Sequence, residues 1–145
     1  MQRPPSIILF ERLFWASLVA SFLTTALAWN DIMSQVEREA SGIRSATAMG
    51  FAAVILAITL LILTALWYGI ARRGSNVTKW IYVVLTALGT LSTILAFFEP
   101  DGLGGIWLAG TLLSTLLSVA SVAVLFRADA IAWLNTKSVD PGTFR

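Results

Sequence analysis

From Ala46 to Ala71 the chain runs 26 residues without an ionisable side chain. At 1.5 Å per residue this is about 39 Å of helix, longer than the ~30 Å hydrocarbon core of a bilayer. No water reaches that core to satisfy backbone N–H and C=O groups, so such a segment must bond internally as a helix. Trp80 to Phe98 (19 residues) and Leu103 to Phe126 (24 residues) are likewise uncharged and long enough to span. A fourth candidate lies near the N-terminus. Leu13 to Trp29 has 17 uncharged residues, preceded by Glu11-Arg12 and the apolar stretch Ser6 to Phe10. It reads as one helix from about 6 to 29, capped by Ser6 after Pro4-Pro5, with Glu11 and Arg12 near the headgroups.

Composition excludes the alternative of a water-soluble domain. Charged residues make up 12% of the 145, hydrophobic residues 57%, and mean hydropathy is +0.81. Soluble domains carry roughly a quarter charged residues. The expected fold is therefore an all-α integral membrane protein, a four-transmembrane-helix antiparallel bundle in a single membrane domain. Its boundaries are TM1 at about 6–29, an outer loop at 30–45, TM2 at 46–71 and an inner loop at 72–79. TM3 follows at 80–98, a second outer loop at 99–102, TM4 at 103–126 and a cytoplasmic tail at 127–145. Arg3, Arg12 and Ala26-Leu27-Ala28 also fit a cleavable signal peptide. The preferred reading retains the first helix.

Basic residues set the orientation. Eight flank the side that holds both termini and the second loop, among them Arg72, Arg73, Lys79 and Arg127; two, Arg38 and Arg44, lie opposite. This bias places both termini in the cytoplasm. Trp29 and Trp107 at outer ends, and Trp67, Trp80 and Trp133 at inner ends, fit the aromatic belts expected at the two interfaces. The localisation that follows is the cell inner (plasma) membrane. The basic residues report topology, so no nucleic-acid partner is inferred from the pI near 9.5.

Loop chemistry supports the boundaries. Gly74 suits a helix C′ position and Ser75 or Asn76 an N-cap. In the first loop, Ser34-Gln35-Val36-Glu37 fits a capping box and Ile32, Val36, Ala40 and Ile43 recur at helical spacing. That pattern predicts either a short amphipathic surface helix ending at Ser41-Gly42 or a continuation of the first span. Glu99-Pro100-Asp101-Gly102 is turn chemistry. After Phe126 the tail reads as a prolongation of the fourth span, frayed at Asp140-Pro-Gly142.

The residue inventory restricts the chemistry. With no Cys there is no thiolate nucleophile or iron–sulfur cluster, and with no His there is no imidazole ligand or base. No catalytic residue, metal ligand or cofactor site is predicted. From Leu13 onward the spans carry small and hydroxyl residues at helical spacing: Ala16, Ala20 and Thr24 in the first, Thr86, Gly89 and Thr93 in the third, Gly110, Ser114 and Ser118 in the fourth. Such stripes let helix backbones approach closely, and the same hydroxyls would alternatively line a polar path. Glu11 and Arg12 form a candidate functional pair, their side chains about 100° apart on the helix. The favoured assignment is an interfacial pair that sets the depth of the first span, and the alternative is a proton or cation site at Glu11.

Three stretches, Arg3-Pro-Pro-Ser…Phe10-Glu11, Ser75-Asn-Val-Thr-Lys-Trp80 and Leu125-Phe-Arg-Ala-Asp-Ala-Ile-Ala-Trp133, resemble small four-span proteins of bacterial inner membranes that have no assigned activity. The resemblance implies a compartment and an architecture. A carboxylate in the first span also invites comparison with small multidrug transporters, whose carboxylate lies near mid-span; Glu11 lies near an end and precedes a positive charge. The expected role is non-enzymatic: an accessory or assembly subunit, or a homo-oligomer, whose partners are the lipid bilayer and a second copy or another membrane protein. A small-solute or proton-coupled transporter or channel is the alternative. A lipid-directed enzyme using Glu99 and Asp101 ranks last.

Overall fold

The computed structural model describes residues 4–39, 45–98 and 105–138. Among these residues there are six helices and no strand: α1 Pro5–Leu27, α2 Trp29–Glu39, α3 Ser45–Ala71, α4 Asn76–Ala96, α5 Ile106–Val124 and α6 Ala128–Ser138. Four of them, α1, α3, α4 and α5, are long and apolar enough to cross a membrane.

The start of α1 corrects the expected cap. Pro4 occupies the N-cap position with extended backbone (φ −63°, ψ 150°) and Pro5 opens the helix, so Ser6 lies inside the first turn. Proline is favoured at the first helical position, where its missing N–H has no intrahelical partner to lose. α1 ends at Leu27 rather than near Trp29. Ala28 (φ −92°, ψ 11°) breaks the helix for one residue, yet its N–H reaches Thr24 O at 2.9 Å and its own carbonyl accepts from Ile32 at 3.0 Å. The segment expected as an outer loop from residue 30 is therefore helical from Trp29, bonded directly onto α1. Ser34 begins no helix. It lies within α2, where its hydroxyl donates to Asp31 O at 2.8 Å, and a capping box has no open N–H groups to serve there. Ser41-Gly42, Glu99-Pro100-Asp101-Gly102 and Asp140-Pro-Gly142 lie outside the described residues.

Between α3 and α4, Gly74 takes φ +63°, and the Ser75 side chain accepts the Thr78 N–H at 3.3 Å. This cap starts α4 at Asn76, four residues before the expected edge at Trp80, because a helix continues past the apolar layer as far as its cap allows. The tail differs more. α5 stops at Val124, and Leu125, Phe126 and Arg127 donate to carbonyls three residues back, tightening the chain into a turn. α6 is thus a separate helix, not a prolongation of the fourth span. Its Ala130 and Leu134 are buried, and the Asp129 carboxylate accepts the Ser6 N–H of α1 at 3.2 Å.

Packing concentrates at one end, the basal end, which holds the start of α1, the α3–α4 turn and the α5–α6 junction. There Ile7, Phe10 and Phe14 of α1 meet Ile70 of α3, Tyr82 of α4 and Leu125 in a buried cluster. α1 and α5 run in opposite directions in close contact, Thr24 against Gly110. α4 lies along α5 through Tyr82–Ser121 (2.8 Å) and Thr93–Thr115 (3.3 Å). α3 approaches α4 at Gly69 and Thr78, and α1 through an edge-on Trp15–Trp67 pair 5.5 Å apart. Burial is uneven: 28% of the apolar window of α1 is inside the protein, against 6% for α3, the most hydrophobic helix at a mean hydropathy of 2.6.

Candidate functional site

Between α1, α4 and α5, at mid-depth of the spans, lies a cleft of about 270 Å³. Nine of its fourteen lining residues carry a hydroxyl, and none is charged. The hydroxyls converge because each helix repeats them every three or four residues: Ser17 and Ser21 on α1, Thr86, Thr90 and Thr93 on α4, Ser114 and Ser118 on α5. Gly89 leaves open space on the α4 wall, with nothing within 4 Å of where a Cβ would stand.

The basal floor of the cleft is solid. Phe14 and Tyr82 line it, and Phe10 lies beneath, its ring centre 5.9 Å from Phe14 and 5.7 Å from Tyr82. All three rings are buried. The near-perpendicular Phe10–Tyr82 arrangement (82°) sets ring edge against ring face, the geometry aromatic quadrupoles favour. The Tyr82 hydroxyl is held by Ser121 on α5 at 2.8 Å.

The stripe residues separate into three roles. Thr86, Gly89, Thr93, Ser114 and Ser118 line the cleft together. Thr24 and Gly110 face each other in tight contact between α1 and α5: a Cβ on Gly110 would overlap the Thr24 hydroxyl and lie 2.6 Å from its methyl. Ala16 and Ala20 line a separate apolar groove on the α1–α5 pair with Val19, Leu23 and Ala109. Thus one hydroxyl-and-glycine pattern divides between internal packing and a cavity wall.

Glu11 and Arg12 are not in the cleft. Both lie at the basal end, Glu11 half-buried and Arg12 exposed. Three other cations of that end sit over aromatic rings: Arg72 over Trp67 (5.7 Å), Arg73 over Tyr68 (5.9 Å), and Lys79 over Trp80 (5.5 Å) and Phe126 (4.7 Å). Lys79 is 5% exposed, and the negative faces of the two rings offset part of its desolvation. At this end the fold also alters the ionisation of Asp129. Its carboxyl is held below the ordinary aspartate value, first by the Ser6 hydroxyl and then, against a smaller opposing desolvation, by the N–H groups of Ser6, Asp129 and Ala130. The Ser6 hydroxyl is buried and makes no hydrogen bond of acceptable geometry, so its effect is that of a nearby dipole, while the Ser6 N–H at 3.2 Å makes the bond.

Sequence reasoning missed the aromatic floor and the Tyr82–Ser121 clasp. The signal was present: Tyr82 extends the Thr86–Gly89–Thr93 stripe by one helical turn, and its hydroxyl belongs with that polar face. The three stretches compared above with inner-membrane proteins meet at the basal end, where Ile7 and Phe10, Lys79, and Leu125 and Ala130 are all buried. Among the described residues no group of His, Cys, Asp and Glu is placed to hold a metal ion. Compared with known protein families, with curated proteins and with solved structures, the chain matches none.

Proposed function

We propose that the chain is a non-enzymatic, multi-pass protein of the inner membrane that works by helix–helix association, with α3 as its contact surface. The observation that carries this reading is the isolation of α3. It is the most apolar helix and the least covered by its own chain. Gly50, Ala53 and Ala57 form one exposed face of it, and nothing stands within 4 Å of a Cβ at Gly50. In lipid, apolarity alone does not drive helices together; close backbone approach over small residues does. Thr24 and Gly110 meet within the chain and Ala16 and Ala20 line the α1–α5 groove, while Gly50, Ala53 and Ala57 of α3 are exposed.

The topology in this proposal has both termini in the cytoplasm. The basal end gathers Arg72, Arg73, Lys79 and Arg127, the side that the excess of basic residues assigns inward. A transporter is the second reading, and the hydroxyl cleft is its support. The buried Phe10, Phe14 and Tyr82 close that cleft basally, which favours binding over conduction through one protomer.

The test uses the natural absence of cysteine. Single cysteines at Gly50, Ala53 and Ala57, and at Ile55 and Thr59 on the other side of α3, are labelled with a photoactivatable thiol reagent in native membranes. Association through α3 gives protein adducts at the first three positions and lipid adducts at the other two. Lipid adducts at all five would overturn the proposal.

A further inference from the structure

The cleft has a chemical polarity that a census of hydroxyl protons brings out. A hydroxyl has one proton and two acceptor lone pairs. Ser17 donates to Phe14 O at 2.8 Å and Thr90 to Thr86 O at 2.8 Å. Ser114 donates to Thr111 O at 3.0 Å and Ser118 to Ser114 O at 2.9 Å. Thr93 gives its proton to Gly89 O at 3.0 Å, so in its 3.3 Å contact with Thr115 the proton belongs to Thr115. Ser121 gives its own to Ser118 O at 2.7 Å, so Tyr82 must be the donor in the Tyr82–Ser121 bond. Seven of the nine lining hydroxyls, all but Ser21 and Thr86, therefore spend their protons on the protein itself. The wall presents mainly oxygen lone pairs, on three helices, around an uncharged space.

We infer that this cleft binds one small, uncharged molecule rich in hydrogen-bond donors, of the polyol class. The lone pairs select donors. The absence of any charged side chain in the lining selects against ions, because an unpaired charge at this depth is costly. The volume of about 270 Å³ falls just below the usual range for small-molecule pockets and suits a compact solute. Phe14 and Tyr82 supply an apolar floor for the carbon skeleton of such a ligand, and Ser21 and Thr86 add hydroxyls of their own to the wall. This inference does not depend on association through α3, since no residue of the Gly50–Ala57 face lines the cleft.

Binding is tested on the full chain in lipid nanodiscs by ligand-observed NMR. The probes are glycerol and 1,2-dimethoxyethane, which has the same number of heavy atoms and two ether acceptors but no donors. Saturable binding of glycerol in preference to the ether is expected. Thr90→Val removes one acceptor at nearly constant volume, and with Ser118→Ala should weaken glycerol binding about tenfold, the effect of one or two lost hydrogen bonds. Gly89→Leu extends a side chain into the open space on the α4 wall, where nothing lies within 4 Å of a Cβ. It should abolish binding while the thermal unfolding of the protein stays at or above wild type. Equal binding of the two probes, no saturable glycerol binding to the wild-type protein, or glycerol binding that survives Gly89→Leu would each overturn the inference.

Discussion

Gly110 is the position at which the packing of α1 on α5 is most exposed to a small change. An alanine there places its Cβ 2.8 Å from the Thr24 Cβ and 2.6 Å from its methyl carbon, whereas ordinary contacts begin at 3.4 Å. The overlapped hydroxyl cannot rotate away without cost, because it donates to Ala20 O at 2.8 Å. α1 and α5 must then separate by several tenths of an ångström, and gaps of that order forfeit a quarter to a half of each contact's dispersion energy. Overpacking of this kind costs about 1–3 kcal/mol. Thr24→Gly removes all three of the Thr24 atoms that an added Cβ would meet. In a bilayer the reference state keeps its helices formed, so the intrinsic helix cost of the new glycine largely cancels and only lost packing remains. The double variant Thr24→Gly/Gly110→Ala should therefore be more stable than the sum of the singles implies, by about 1 kcal/mol or more. The assay is unfolding in mixed micelles on titration with SDS, followed by tryptophan fluorescence, for all four members of the cycle. Additive effects would mean that α1 and α5 do not meet at these two residues.

Three further outcomes are expected. Tyr82→Phe removes the donor to Ser121 and should cost about 0.6 kcal/mol in the same assay, within the range of interhelical bonds in membranes; no change would show the clasp to be unformed. Asp129 has a folded-state pKa below its ordinary value of 3.8. Its contribution is therefore complete above that value and lost as pH falls through the lower, folded one. Wild-type stability should drop over that acid window and Asp129→Asn should lose this component; identical acid profiles would remove the Asp129–Ser6 contact from the account. Gly74→Ala forces a Cβ into φ +63° and should destabilise the α3–α4 turn by about 1 kcal/mol, so an unchanged unfolding midpoint would count against that turn.

The spans were legible because length and charge decide them. A run such as Ala46–Ala71 has no other way to satisfy its backbone in lipid. The α3–α4 turn was legible too, since Gly74 and Ser75 are local signals whose partners lie within a few residues. What the sequence concealed is long-range. The break between α5 and α6 has no glycine or proline to announce it; it is set by the burial of Leu125, Ala130 and Leu134 and by a contact from Asp129 to Ser6, 123 residues away. Likewise, one periodic pattern of small and hydroxyl residues served both packing and a cavity wall. Spacing places Thr24 and Ser21 on neighbouring faces of α1, but only the position of α5 decides that one abuts Gly110 and the other lines the cleft. Tyr82 was overlooked as an aromatic among many, although its hydroxyl extends the polar stripe of α4.

The most direct measurement is the mass of the intact particle released from its native membrane in a mild detergent, for the wild-type chain and for Gly50→Leu/Ala53→Leu. Association through α3 requires the wild-type particle to contain a second protein chain, of this or another kind, and the variant particle to lose it while retaining its helical content. A wild-type particle of one chain with lipid alone, or a complex that the two leucines leave intact, would contradict it.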